Sequence, residues 1–135
     1  MCKKSVMKGT TISLLLLCLM TSAVVAQQPN VAPLMSKDLT GNPVKEVSMI
    51  IVEYPPGASS PVHRHNAQAF VYVLEGSIVM QVKGGKEVTL TPGQTFYEGP
   101  DDVHVVDRNA STTRPAKMLV VLVKDKGAPL LVPIK

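Results

Sequence analysis

The chain has 135 residues, 14 of them Lys or Arg and 10 Asp or Glu, for a net charge of +4. That length holds one domain with one core. Three of the lysines fall within the first eight residues and no acidic residue accompanies them, so the remainder carries only +1. No basic stripe interleaved with aromatics and no glycine-rich phosphate loop is present, which argues against nucleic acid as a partner.

Lys3, Lys4 and Lys8 precede an apolar stretch from Ile12 to Met20, broken by Ser13, and Val24-Val25-Ala26 stands before Gln27-Gln28-Pro29. This is the layout of a secretory signal peptide over residues 1–26, with an apolar core short for a membrane span. The alternatives are an uncleaved anchor and a lipid-modified form at Cys18, where Leu17 occupies a position that would need a small residue. Cleavage after Ala26 would deliver residues 27–135 to an extracytoplasmic location, periplasmic or secreted, with no stable membrane span. Cys2 and Cys18 would leave with the leader, so the mature fold would not depend on oxidation.

Residues 27–42 are polar and proline-bearing and read as a loose N-terminal arm that Val31, Leu34 and Met35 could pin to a neighbour. From 43 to 135 the chain is strand-like almost throughout. Val47 to Glu53 is β-branched and apolar until Tyr54-Pro55-Pro56-Gly57 breaks it. Phe70 to Leu74 is a dense aromatic and β-branched run that stops at Glu75-Gly76. Ile78 to Val82 continues, Lys83-Gly84-Gly85-Lys86 signals a hairpin, and Glu87 to Thr91 resumes the extended pattern. Thr95 to Glu98, His104 to Asp107 and Ala116 to Val123 are further short strands, and Pro129 and Pro133 permit only an edge strand or tail at the end. No helical period of useful length occurs after residue 40. Short strands punctuated by Gly and Pro every ten or so residues describe an all-β sandwich or barrel. Phe70, Tyr72, Phe96 and Tyr97 are assigned to core packing or to a subunit interface.

The chain has three histidines. His63 and His65 form a His-x-His pair, and side chains two apart on an extended strand point to one face. His104 lies at the start of a later strand. Joined in space, the three would make a facial set of neutral nitrogen donors suited to Fe, Mn, Zn, Ni or Cu. A lone histidine in a β protein is more often a hydrogen-bonded structural residue; the pair and its surroundings shift the balance toward a divalent transition metal as cofactor.

Those surroundings resemble a known family. Gly57, five residues, His63-x-His65 and then Tyr72-Val73-Leu74-Glu75-Gly76 resemble the first motif of the cupins. Gly85 through Pro92, followed by His104 and Asn109, resemble the second. The resemblance covers roughly Val47 to Val123. It implies a small jelly-roll β-barrel, a homodimer, and an internal metal held by the two histidines and a glutamate of the first motif and the histidine of the second. Carried over by position, it makes His63, His65 and His104 the metal ligands. The glutamate position, however, is Ala69 here. Gln68 beside it becomes a fourth-ligand candidate if a one-residue bulge turns it inward; otherwise water fills that place. Asn109 is displaced by one residue from the family's asparagine, which weakens a role for it, and Asn109-Ala110-Ser111 also matches a glycosylation acceptor. Glu75, at a tight turn, reads as structural. Glu98, before Gly99-Pro100, reads as a solvated carboxylate at the barrel rim.

Three neutral imidazoles would leave the full 2+ charge on the metal, favouring an anionic oxygen-chelating ligand. The leading expectation is a metal-dependent enzyme acting on a small molecule, a dioxygenase or a related lyase or isomerase. A second is a non-catalytic module that holds a small ligand or metal, and a third is an empty barrel that serves as a dimerisation scaffold. Fold alone does not choose among them.

Overall fold

The computed structural model describes residues 27–135; the signal-peptide expectation lies outside them. Ten strands follow one another: β1 (Asn30–Leu39), β2 (Asn42–Tyr54), β3 (His63–Arg64), β4 (Gln68–Glu75), β5 (Ile78–Val82), β6 (Val88–Leu90), β7 (Thr95–Glu98), β8 (His104–Asn109), β9 (Ala116–Asp125) and β10 (Val132–Pro133). They form two five-stranded sheets, ordered β1-β2-β9-β4-β7 and β10-β3-β8-β5-β6, with every pairing antiparallel. The all-β jelly-roll expectation is met, and no helix occurs among the described residues.

Alternation explains how the sheets close on each other. In β4, Ala69, Val71 and Val73 are buried while Gln68, Phe70 and Tyr72 are exposed. In β9, Ala116, Met118, Val120 and Leu122 point inward. With Ile50, Val52 and Tyr54 of β2 and Ile78 and Met80 of β5 they make one core. Period-two patterning with one apolar face is what a half-buried strand requires.

The N-terminal segment differs from expectation. Asn30–Leu39, read as a loose arm, is a ten-residue strand paired along β2. Nearly all of it is exposed, so it carries no alternation to read. Main-chain hydrogen bonding, not burial, makes it a strand.

Gly76 closes the turn between β4 and β5 with φ +68°. A Cβ there would lie 2.5 Å from the Pro115 carbonyl oxygen and 2.8 Å from Ala116. The loop before β9 passes so close that only a residue without a side chain fits.

Candidate metal centre

β3 and β8 are neighbours, and their register places His63 directly opposite His104. The two rings are 5.0 Å apart. His65 follows β3, just before Asn66, which takes a left-handed φ of 49° and turns the chain. Despite this early end to the strand, the His65 ring returns to within 4.9 Å of His63. The three predicted histidines therefore converge.

Glu98 joins them from the opposite sheet. It ends β7 on the same inward face as Phe96, is 2% exposed, and places Oε2 3.1 Å from His104 Nδ1 and 3.7 Å from His65 Nε2. Donor atoms of His63, His65, Glu98 and His104 all lie within 4.8 Å of one another. The expectation of a solvated Glu98 is thus overturned. Gly99 and Asp102 help to hold it, since the Gly99 N–H donates to Asp102 Oδ2 at 2.7 Å and tightens the loop that ends β7.

Gln68, the fourth-ligand candidate, is corrected as well. It starts β4 on the exposed face, paired with Val123, while Ala69 points inward. No bulge intervenes at that point, so strand parity holds and the amide stays outside. The register explains why Glu98 can stand in: its cross-strand partner on β7/β4 is Ala69. The carboxylate comes from one strand over, and the small alanine leaves room for it.

Asn109 is buried and fully occupied. Its Nδ2 reaches the carbonyls of Tyr54, Pro55 and Arg114 at 2.8–3.1 Å, and its Oδ1 accepts from Ser111 N–H. It ties the end of β2 to the loop before β9, and its amide is not available for glycosylation in this fold. Glu75 is exposed and lies 3.6 Å from Lys117 on the outer face, in keeping with a structural role.

Tautomers make the case for a cation. His63 Nδ1 donates to the Pro61 carbonyl at 2.8 Å, and His65 Nδ1 donates to the Leu130 carbonyl at 2.5 Å. A carbonyl only accepts, so both rings carry their proton on Nδ1. In the neutral rings each Nε2 is then a bare lone pair, and the two stand 3.3 Å apart. Lone pairs that face each other in this way repel unless a positive charge lies between them. Two nitrogens each about 2.0–2.1 Å from one ion are separated by roughly 2.8–3.0 Å at octahedral angles and roughly 3.3–3.4 Å at tetrahedral ones. The carbonyls fill the outer role usual for metal-bound imidazoles.

The remaining two donors point the same way. Glu98 Oε2 and both ring nitrogens of His104 are buried without a hydrogen-bond partner. The 3.1 Å approach between them is close but not aligned as a hydrogen bond. Buried polar atoms left without partners are rare, and here they converge with two further lone pairs. The donor set fits a divalent metal.

The site's electrostatics are those of a charge cluster out of water. Burial pushes the His63 pKa down, against the Pro61 carbonyl. Burial also opposes ionisation of Glu98, but His104 and the other imidazoles outweigh it and hold the carboxyl below the usual range. His104 is pushed down by burial and raised further by Glu98, with a net rise. In the same cavity Tyr54 donates to Asp107 Oδ1 at 2.5 Å, and burial followed by Asp107 pushes the phenol well above its ordinary value. A cavity of about 250 Å³ opens from the cluster between the sheets.

Comparison with known proteins agrees with this geometry. The family model described as a cupin domain matches residues 50–122. The chain belongs to the cupin family. No curated protein matches this cupin. Among solved structures, it is 26% identical to TT1209 of Thermus thermophilus, over 72% of this chain and 84% of that one, with a TM-score of 0.59. It is 22% identical to the DMSP lyase DddQ of Ruegeria pomeroyi, over 78% of this chain and 51% of that one, at a TM-score of 0.64. It is also 22% identical to an oxalate oxidase in complex with the substrate analogue glycolate, over 82% of this chain and 57% of that one, at 0.61. This cupin thus spans about half the length of the lyase and the oxidase. Among the described residues no helix is long and apolar enough to cross a membrane.

Proposed function

We propose that this cupin holds one divalent transition metal through His63, His65, His104 and Glu98, and that it is a metal-dependent enzyme acting on a small molecule, of the oxygenase or lyase and isomerase classes. The single observation that carries the metal reading is the 3.3 Å approach of the His63 and His65 Nε2 atoms, with both Nδ1 atoms turned to carbonyls, beside a buried Glu98 Oε2 that has no hydrogen-bond partner. A metal bound there would supply Lewis-acid chemistry and, if redox active, access to dioxygen. A six-coordinate ion held by these four donors would keep positions free for a ligand, and all four residues line the cavity. The Leu130 and Pro61 carbonyls orient two rings, Glu98 reduces the charge of the centre, and the apolar walls exclude water. The neighbours of the same fold include a lyase and an oxidase by name, which is consistent with turnover on such a barrel.

The expectation of an uncompensated 2+ centre is replaced by one with a single carboxylate. A chelating ligand with one negative charge would complete its neutralisation.

Metal analysis of protein purified without chelator tests the first half: close to one equivalent is expected, and less than about a tenth would leave an empty scaffold. Oxygen consumption and product formation with flavonols, catechols and β-diketones on iron-, manganese- or nickel-loaded protein test the second. Saturable ligand binding without turnover across that panel would instead establish the non-catalytic module.

Two features outside the site belong to the same reading. Export is supported by the basic, apolar and small-residue order of residues 1–26; the mass of protein recovered outside the cytoplasm tests it. A homodimer is supported by the apolar outer face of the β1-β2-β9-β4-β7 sheet, where Phe70, Tyr72 and Tyr97 are 46%, 45% and 51% exposed.

A further inference from the structure

The cavity over the cluster has a lopsided chemistry. Its floor is the three imidazoles and Glu98. Ile50 and Val52 from β2, Met118 and Val120 from β9, and Leu130 and Leu131 line the rest. Among the described residues no lysine or arginine lines it. The one charged group on the walls apart from the floor is Asp107, an acid, and its close partner is the Tyr54 hydroxyl. The other polar wall residues, Gln28 and Ser60, are uncharged.

These walls discriminate by charge. A carboxylate taken into an apolar space without a cation loses its hydration and gains nothing in return. At the floor one negative head would meet a centre with a net single positive charge, a divalent ion less the Glu98 carboxylate. A second carboxylate on the same ligand would meet hydrocarbon or the acid Asp107, and no cation. Tyr54 cannot help it, because its proton is already given to Asp107. At about 250 Å³ the space also lies below the roughly 300–1,000 Å³ of drug-sized sites.

We infer that the site selects small ligands with a single oxygen-donor head, neutral or singly charged, on a short apolar body, and that Asp107 and the apolar walls reject ligands with a second acid at the opposite end. This rests on the metal reading above and adds the substrate class to it.

The test compares two straight five-carbon acids, valerate and glutarate, on full-length mature protein loaded with Co(II), followed by the change in the cobalt visible spectrum. Valerate is expected to bind about tenfold or more tightly than glutarate. Asp107→Asn, which keeps an oxygen for Tyr54, is expected to strengthen glutarate binding about threefold or more relative to valerate. A valerate preference below about tenfold, or binding of neither acid to cobalt-loaded protein, overturns the inference while the metal reading stands. An unchanged glutarate affinity relative to valerate in Asp107→Asn overturns the part given to Asp107. Failure of the protein to take up Co(II) at all would instead sink the metal reading, and this inference with it.

Discussion

Ala69 and Glu98 face each other across β4 and β7, and the family's ligand position has in effect moved from one to the other. The move keeps a carboxylate at the imidazoles but hangs it from a different strand, at a loop braced by Asp102. Removing its charge while keeping its shape is therefore the sharpest test of the site. Glu98→Gln should lower metal affinity by at least about 100-fold, measured by competition with a chelator. Gln68→Ala, on the outer face, should leave it unchanged. His63→Ala and His104→Ala should abolish metal binding, with the strand signature in circular dichroism retained, because the core lies mainly in other residues.

The same residues set a pH response in the metal-free protein. His63 has a folded pKa below its unfolded value of about 6.5. The unfolded chain takes up its proton first, so this residue costs stability in acid, and the loss is relieved as pH rises through the unfolded value. His104 has a folded pKa above that value because of Glu98. Its contribution is fully present below the unfolded pKa and is lost as pH rises through the folded one. Metal-free stability should thus climb toward about pH 6.5 and decline beyond it. Denaturant midpoints against pH should show the decline in the wild type and not in Glu98→Gln. With metal bound the alkaline limb should reverse, since protons no longer compete for the ligands.

At the scale of elements, the terminal segment does more than close the sheet. β10 pairs with β3, Val132 opposite Arg64 and Pro133 opposite His63, and Ile134 N–H donates to the Val62 carbonyl at 3.0 Å. That clamp carries the Leu130 carbonyl to His65 Nδ1. Deleting residues 129–135 should weaken metal binding by about 10–100-fold, the range for loss of an orienting partner, with most of the strand content intact. Gly76→Ala should act oppositely, on the fold and not on the metal. A left-handed φ and a 2.5 Å clash with backbone predict a loss of about 2–5 kcal/mol in chemical denaturation.

These elements also show what was readable beforehand. β4 and β9 announce themselves by alternation, and the turns at Gly76 and Gly84-Gly85 by composition. The three histidines are rare enough that convergence was a fair expectation. β1 was not readable, because an exposed edge strand held by main-chain bonds has no apolar period. Glu98 had a signal in its parity with Phe96, opposite to Thr95 and Tyr97. What one sequence lacks is the register that sets Glu98 against Ala69, since pairing partners come from the fold and not from spacing.

The whole molecule presents two unlike sheets. The outer face of the β1-β2-β9-β4-β7 sheet carries cross-strand rows of apolar residues: Met35, Met49, Val121, Phe70 and Tyr97 in one, Ile51, Leu119 and Tyr72 in the next. Phe70 and Tyr97 already pack with ring centres 5.3 Å apart. The rows end at Glu53, Lys117 and Glu75, joined by ion pairs of 3.0 and 3.6 Å. An apolar field bounded by charge on one side of a domain is the expected shape of an interface. A two-fold axis through the sheet would lay such a field on its own copy, the commonest closed arrangement. Sedimentation of residues 27–135 should give twice the monomer mass. Phe70→Glu combined with Tyr72→Lys places charge at the centre of the field without touching the inward residues Val71 and Val73. It should yield a monomer that still binds one equivalent of metal, because every ligand comes from within one barrel. A wild-type monomer at micromolar concentration would remove the dimer, and a monomeric variant that loses its metal would show that the centre depends on the second copy.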